Sequence, residues 1–304
     1  MIGLDVSVRA SHWRRVAAIL VSMVLLGVFP VTASRSSAQT STPTLVRAGI
    51  IRTTPFRNTQ ISMEDGEGSA YVRKDRSLWL ADDNHNAIFE VGPATGKLKR
   101  MIGPKVFRST RQLGGGPRAG LARSGDFEAM AYDAAKDVLF LFSGACCLVR
   151  RPTVFRLTRD RRDGLLWPDS WQPLKRDSDF TAAGWNPADG RVYVGQGPDL
   201  RTYDYRRNAI GEAFLVPGLA GILGIGFSRR GSQMYVVTNQ EELDAVDWAT
   251  KTLVPGWSFD LTPFQILDSR AVERIGGRFY VLDSAVRRGN DRLEFAVFKF
   301  DVQQ

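Results

Sequence analysis

Short runs of apolar residues, separated by polar turns, recur along the chain from about residue 65 onward. In every copy an aromatic or β-branched residue on one run is followed, at an offset of eight, by an aromatic residue on the next run. Turn-forming residues, such as PADG at 187–190, lie between the two runs. Each copy therefore predicts a β-hairpin. The five pairs are Tyr71 and Trp79, Tyr132 and Phe140, Trp185 and Tyr193, Phe227 and Tyr235, and Val272 and Tyr280.

The spacing of these hairpins predicts the fold. Their second aromatic residues lie 42 to 61 positions apart, and a β-propeller blade takes roughly 40 to 50 residues. A blade is a four-stranded antiparallel sheet whose first strand lies nearest the central axis. We predict an all-β, five-bladed β-propeller over residues 45–304, with six blades as the alternative if 104–125 forms another sheet. In the first blade the strands are predicted at 68–72, 78–81, 87–91 and 97–101.

The last blade has three predicted strands before the sequence reaches Asp301, which leaves its fourth position open. The run LVRAGIIR at 45–52 is the extended segment that no blade has yet used. Because an unpaired edge strand invites aggregation, closure of the ring favours pairing between the two ends of the chain. We predict that residues 45–52 supply the missing strand. The third strands of the later blades are predicted at 154–157, 200–205, 243–248 and 295–300.

The N-terminal segment has the order of a secretory signal peptide. Arg14 and Arg15 precede the apolar run 16–29, and small-residue cleavage sites follow at 31–33 and 36–38. We predict a Sec-type signal peptide at 1–38, a flexible tether at 39–44 and a secreted or extracytoplasmic protein. An uncleaved membrane anchor is the alternative, because residues 16–33 number 18 and a spanning helix needs about 17 to 25. After cleavage we expect a monomer without membrane attachment.

The charge of the chain adds little specificity. The net charge is +9, but the basic residues are scattered among predicted turns, as at 73–76, 159–162 and 229–230. Such scatter is typical of a solvated surface, and attraction to an anionic polymer or ligand is the lesser interpretation. The sequence has no recognisable nucleic-acid motif. We expect a small-molecule or cell-envelope ligand as the partner.

Carboxylates recur at two positions of the repeat, four and six residues before the first hairpin anchor. In a propeller these positions lie where the inner strands begin, at one mouth of the central channel. Like charges gathered there repel unless a cation or a proton offsets them, and oxygen-rich clusters suit Ca²⁺. The alternative is that each carboxylate is solvated or caps backbone N–H groups. We predict metal ligands at Glu67, Glu128, Asp179 and Asp268, and ligand-binding residues at Asp65 and Asp126.

The second strand of each blade runs back towards the same mouth, and its last residue is polar in all five copies. The predicted ligand-binding set therefore also includes Asp82, Gln196 and Asp283, with Asp83 and His85 in the following loop. As a general base His85 would need a nucleophile within hydrogen-bond reach, and the alternative is a plain surface residue.

Cys146 and Cys147 are adjacent and are the only cysteines. In an exported protein they predict a strained disulfide between neighbours, or else two free or externally paired thiols.

Small residues fill two further positions of the repeat, one and three residues before the anchor. The strand period of two places both positions on one face. We therefore expect the inner strands to converge where side chains have little room. The ten residues are Gly68, Ala70, Ala129, Ala131, Ala182, Gly184, Gly224, Gly226, Ser269 and Ala271.

Two hairpins carry a family resemblance. DGEG at 65–68 followed by LWLAD at 78–82, and DFEA at 126–129 followed by LFLFS at 139–143, resemble the "LEG…LWVADE" hairpins of exported phytase-like propellers. That family is described as having esterase-like activity of phytase, and SdiA-regulated and NHL-type propellers share the style. The likeness covers roughly residues 60 to 160. It implies a secreted propeller, a Ca²⁺-holding channel mouth and hydrolysis of phosphate or carboxylic esters.

Two functions follow as hypotheses, and whether the chain is an enzyme stays open between them. We favour a propeller that binds a ligand or partner at an acidic mouth holding Ca²⁺, because the sequence lacks a G-x-S-x-G, HExxH or paired CxxC motif. The alternative is a Ca²⁺-dependent phosphoester or carboxylic ester hydrolase. A lactonase-like enzyme would need an Asn and Asp ligand set that does not align. We expect no organic cofactor.

Overall fold

A computed structural model describes residues 42–52, 63, 65–113, 125–144, 151–175, 177–288 and 292–303. Residues 1–41, Cys146 and Cys147 lie outside these ranges. The signal peptide, most of the tether and the disulfide therefore stay predictions. No helix of the described part is long and apolar enough to cross a membrane.

Five sheets account for the described strands, and each is one blade. Blade 1 contains β2 (Gly66–Val72), β3 (Ser77–Asp82), β4 (Ala87–Val91) and β5 (Leu98–Ile102). Blade 2 contains β7 (Phe127–Asp133), β8 (Val138–Ser143), β9 (Thr153–Arg159), β10 (Leu166–Pro173) and the short outer strand β6 (Arg111–Gln112). Blade 3 contains β11 (Ala182–Asn186), β12 (Arg191–Gln196), β13 (Asp199–Asp204) and β14 (Ala209–Ile210). Blade 4 contains β15 (Ile222–Phe227), β16 (Gln233–Thr238), β17 (Glu242–Asp247) and β18 (Thr252–Asp260). Blade 5 contains β19 (Ser269–Ile275), β20 (Arg278–Arg288), β21 (Arg292–Gln303) and β1 (Thr44–Arg52).

Short polar side chains fix the turns between the first two strands of a blade. In blade 2 the Asp133 carboxylate accepts hydrogen bonds from the backbone N–H groups of Ala135 (3.0 Å) and Lys136 (3.1 Å). In blade 3 Asn186 accepts one from the N–H of Ala188 at 2.8 Å. These side chains replace backbone partners at the turn, so the local sequence favours chain reversal there. The five predicted hairpins are confirmed.

The inner strands form a closed ring. β2 contacts β7, β7 contacts β11, β11 contacts β15, β15 contacts β19, and β19 returns to β2. The backbones approach closely: a Cβ atom on Gly68 would lie 2.9 Å from the Ala129 Cα, and one on Gly224 would lie 2.5 Å from the Ala271 Cα. Neither position can hold a side chain without moving a backbone, which is the crowding that the small residues predict. The fold is a five-bladed β-propeller.

The N-terminal strand closes the ring as predicted. β1 pairs antiparallel with β21 from Thr44 opposite Gln303 to Arg52 opposite Ala296. It is the outermost strand of blade 5, so this blade is built from both ends of the described chain. Ile51 packs into the apolar cluster between blades 5 and 1 and is 2% exposed.

The core lies between the blades, with one apolar cluster at each of the five interfaces. The segment proposed as a sixth blade contributes instead to the interface of blades 1 and 2. Its described part is a short helix, α1 (Pro104–Arg108), followed by β6. Phe107 on α1 is fully buried against Phe127 and Phe155, with ring centroids 4.9 and 5.2 Å away. A short helix that begins at Pro104 and a strand of two residues do not form a further sheet. The propeller therefore has five blades, and the alternative of six is wrong.

Candidate cation site at the channel mouth

The acidic residues of the sequence columns lie where the inner strands begin. Asp65 precedes β2 directly, Asp126 precedes β7, Asp179 precedes β11 and Asp268 precedes β19. Because all inner strands run in the same direction through the ring, these loops share one mouth of the channel. The structure divides the carboxylates there into two groups.

Arg270 on β19 organises the first group. Its Nη1 lies 2.9 Å from Glu67 Oε2, its Nε lies 2.7 Å from Asp268 Oδ1, and its Nη2 donates to Asp268 Oδ2 at 3.0 Å. One guanidinium therefore joins the first strand of blade 1 to the first strand of blade 5. Asp65 belongs to the same group, because Arg270 and Asp268 both act on its charge. A planar guanidinium suits such two-sided pairing.

Asp126, Glu128 and Asp179 form the second group. One carboxylate oxygen from each lies within 4.8 Å of the other two. Asp126 adopts a left-handed backbone conformation with φ of 59°. Gly144, which directly follows β8, has no side chain and therefore leaves space for the carboxylates of Asp126 and Asp179. A Cβ atom there would lie 2.6 Å from Asp179 Oδ1 and closer still to Asp126 Oδ2. Two acids from different blades thus converge over a glycine.

Burial and mutual repulsion raise the pKa values of this mouth. Burial is the largest cause for Glu128, and the charges of Asp126, Asp179 and Asp83 add to it, which raises its pKa to about 8. Burial, with Asp126 and Asp65, raises the pKa of Asp83 to about 6. For Glu67 burial outweighs the opposing effect of Arg270 and raises the pKa to about 9. At neutral pH the pKa values therefore favour a proton on Glu67 and on Glu128 but not on Asp83.

The polar ends of the second strands brace the loops that carry these acids. Ser143 donates to the backbone oxygen of Gly125 at 2.5 Å, beside Asp126. Gln196 donates to the oxygen of Asp177 at 3.1 Å. Asp283 accepts from the N–H of Asp268 at 2.9 Å. The hydrogen bonds of Gln196 and Asp283 therefore position neighbouring loops. The ligand-binding role that the sequence predicts for these two residues stays a prediction.

Hydrogen bonds from polar side chains also hold the loop after β3. Asp82 is fully buried, with one oxygen 3.3 Å from the ring Nδ1 of His85 and the other accepting its backbone N–H at 3.4 Å. Asp83 follows directly, and its own N–H donates to the Asp65 oxygen at 3.0 Å. These hydrogen bonds between Asp82 and His85 fix the shape of the loop. The Asp83 carboxylate is close enough to Asp126 and Glu128 for repulsion between their negative charges to contribute to the raised pKa values of Asp83 and Glu128.

Sequence reasoning missed two residues of this mouth. Arg270 occupies the position two residues before the hairpin anchor, where the other blades have Ser69, Met130, Ala183 and Ile225. A single charge in an otherwise uncharged column was the available signal. Gly144 gave no such signal, because its role depends on where the Asp126 and Asp179 side chains point.

The channel below the mouth is nearly filled. The cavity lined by Gly68, Ala129, Ala182, Gly224 and Ala271 has a volume of about 10 Å³, which is no more than one water molecule requires. A ligand larger than an ion would therefore lie on the rim and not inside the channel.

Comparison with known proteins supports the fold and goes no further. No protein-family model matches the chain, and no curated protein matches it in sequence. The PQQ-bound aldose sugar dehydrogenase from Streptomyces coelicolor superposes with a TM-score of 0.52 at 10% identity, covering 86% of this chain and 98% of that one. Glutaminyl cyclase from Myxococcus xanthus superposes with a TM-score of 0.55 at 11% identity, covering 86% and 97%. The chain belongs to the class of β-propellers, and its resemblance to the phytase-like family stays a prediction.

Arg270→Ala tests the first group of charges. Removing the guanidinium leaves Asp268 without its cation and the buried Glu67 carboxyl without the group 2.9 Å from it. We therefore expect the free energy of unfolding to fall by about 2 kcal/mol at pH 7. The pKa of Glu67 is about 9 with the guanidinium in place, and it would rise further without it. Below about pH 8 the folded state of both proteins holds this proton, so the loss should increase only from about pH 8 to about pH 10, where the folded variant keeps a proton that the unmodified protein releases.

The measurement is urea unfolding at pH 7 and across that pH range. The control is Arg278→Ala, whose pair with Asp301 is exposed and should contribute under about 1 kcal/mol. Equal losses in the two variants, or a loss independent of pH, would contradict this account of Arg270.

Proposed function

We propose that this protein is an exported β-propeller that binds Ca²⁺ at Asp126, Glu128 and Asp179, and through the ion an oxygen-rich ligand. The observation that carries the proposal is the convergence of three carboxylate oxygens to within 4.8 Å of one another. Oxygens that share one Ca²⁺ lie 2.3–2.6 Å from it, so two of them can be at most about 5 Å apart. The spacing fits one ion.

The electrostatics support a cation at this point. Burial is the main cause that raises the pKa of Glu128 to about 8, and the negative charges of Asp126 and Asp179 add to it, so a proton is favoured on Glu128 at neutral pH. A divalent ion offsets those charges more fully than one proton does. Hard carboxylate oxygens match Ca²⁺ better than they match softer metals.

The exposure of the site supports a ligand as well as an ion. Asp179 is exposed and Asp126 is partly exposed, so the cluster faces the rim. Ca²⁺ takes six to eight oxygen ligands, and three carboxylates leave positions for water or for a partner. Because the channel below has almost no volume, that partner would bind across the rim.

The charge of the rim favours a neutral, hydroxyl-bearing ligand over a phosphate. Glu67, Asp268 and Asp65 surround Arg270, which is already ion-paired and is therefore poorly placed to hold a phosphate group. The second group remains acidic even with one divalent ion. A sugar or a polyol of the cell envelope would supply hydroxyl oxygens without adding charge. The order of residues 1–38, which is that of a signal peptide, supports export.

A Ca²⁺-dependent ester hydrolase is the second candidate, and one observation favours it. Burial is the main cause that raises the pKa of Glu67 to about 9, so a proton is favoured on it at neutral pH, and the charge of nearby Glu128 adds to the shift. A protonated carboxyl beside a cation site could donate a proton to a leaving oxygen. The ion would supply charge stabilisation to the ester oxygen. Hydrolysis of p-nitrophenyl acetate that requires Ca²⁺ and is lost in Glu67→Gln would favour this candidate over simple binding.

The Ca²⁺ site predicts a melting temperature that depends on the ion. At 100 times the dissociation constant, binding stabilises the folded state by about 2.7 kcal/mol, or about 5 to 10 °C for a domain of this size. The carboxyl of Glu128 has its pKa raised from 4.5 to about 8. Without Ca²⁺ this group's contribution to stability therefore falls as pH rises through that window. Ca²⁺ should raise the melting temperature more at pH 8.5 than at pH 6.

Calorimetry of the purified protein with Ca²⁺, Mg²⁺ or EDTA is the measurement. Glu128→Gln and Asp179→Asn should each lose most of the Ca²⁺ shift, whereas the exposed Glu212→Gln should keep it. A Ca²⁺ shift that survives in Glu128→Gln, or no shift in the unmodified protein at either pH, would remove the basis of the proposal.

A further inference from the structure

A cavity of about 580 Å³ opens between blades 2 and 3. The turns around it join β7 to β8, β11 to β12 and β13 to β14, and they lie at the opposite ends of the inner strands from the acidic loops. Ligand pockets in proteins span roughly 300 to 1,000 Å³, so this cavity is large enough for a small organic molecule.

The floor of the cavity is apolar and aromatic. Phe140, Val192, Tyr203 and Tyr205 line it and belong to the core cluster between the two blades. Phe140 and Tyr205 have ring centroids 5.5 Å apart. The fourth strand of blade 3, β14, has only two residues, whereas β5 and β18 have five and nine. We attribute the opening to this short outer strand, which covers little of the space between the two sheets.

The rim of the cavity is basic. Five basic and two acidic side chains line it. Lys136 is ion-paired with Asp133, and Arg207, whose side chain is 84% exposed, lies 3.5 Å from Asp204. Asp169 offsets the charge of Arg156, so the excess of positive charge comes from Arg191 and Arg206.

Arg156 links the basic rim to the aromatic floor. Its guanidinium lies 5.3 Å from the centroid of the Tyr205 ring and is ion-paired with Asp169. The Tyr205 hydroxyl is hydrogen-bonded to the Ser170 hydroxyl at 2.9 Å. The ring and the guanidinium are therefore held in place by their neighbours, and a ligand would meet a preformed wall.

We infer that this cavity is a second binding site, which takes a small anion with an aromatic or apolar body. The floor would bury the apolar part, and the arginines of the rim would bind a phosphate, sulfonate or carboxylate group. The chemistry is the reverse of that at the channel mouth, where a cation binds among acids. The two sites lie at opposite ends of the blades and share no residue.

Titration calorimetry with phenyl phosphate tests the inference. Phenol and inorganic phosphate, which carry the aromatic and the anionic part of this probe separately, are titrated for comparison. Phenyl phosphate should bind at a one-to-one ratio, at least tenfold more tightly than phenol or inorganic phosphate. The double variant Arg191→Ala/Arg206→Ala should weaken binding about tenfold. Ile210→Trp, which places a bulkier side chain in the cavity, should weaken it at least as much.

The matched control is Arg229→Ala/Arg230→Ala, an exposed pair in the turn between β15 and β16 that does not line the cavity. It should bind phenyl phosphate as the unmodified protein does. Glu128→Gln should also leave this binding unchanged, which separates the inference from the proposed Ca²⁺ site. Absence of saturable binding, or equal weakening in both arginine pairs, would overturn it. Displacement of phenyl phosphate by an acidic peptide at a lower concentration would also overturn it, in favour of a protein partner.

Discussion

The close approach of five backbones around one axis is the constraint on which the rest of this structure depends. Gly68 against Ala129 and Gly224 against Ala271 leave no room for larger side chains, so the inner strands come together as a tight ring. The loops that enter those strands are then necessarily neighbours. Residues separated by more than a hundred positions, such as Asp65 and Asp179, meet at one mouth for this geometric reason.

The same convergence creates a problem of charge, which the molecule meets in two ways. On one side Arg270 enters between Glu67 and Asp268 and ties blade 1 to blade 5. On the other side Asp126, Glu128 and Asp179 are gathered over Gly144. Burial and the repulsion of its neighbours raise the pKa of Glu128 in this group to about 8, so a third negative charge is disfavoured at neutral pH.

Much of the fold could be predicted from local chemistry. The hairpin turns depend on residues such as Asp133 and Asn186, which act within three positions of themselves. The closing strand followed from an unused extended run at one end and an open position at the other. The segment 104–125 was harder, because the burial of Phe107 between two blades is a tertiary contact that no local pattern shows.

The sequence predicts which acids lie at the candidate site but not how these acids are arranged there. The repeat placed the acids at one mouth, but their division into two groups depends on the reach of Arg270 and on the left-handed backbone of Asp126. Asp283 is predicted as a ligand residue, and the structure adds a hydrogen bond to the Asp268 N–H that spacing along the chain cannot show. The basic cavity between blades 2 and 3 was not foreseen, since it depends on the length of one outer strand.

The central claim is that the ring places three acids from two blades around one ion. A crystal structure of the protein grown with Ca²⁺, with anomalous differences measured at a long wavelength, tests this most directly. We predict a single peak about 2.3–2.6 Å from carboxylate oxygens of Asp126, Glu128 and Asp179. Ordered carboxylates with no peak between them, or a Ca²⁺ peak at the Arg270 group, would contradict it.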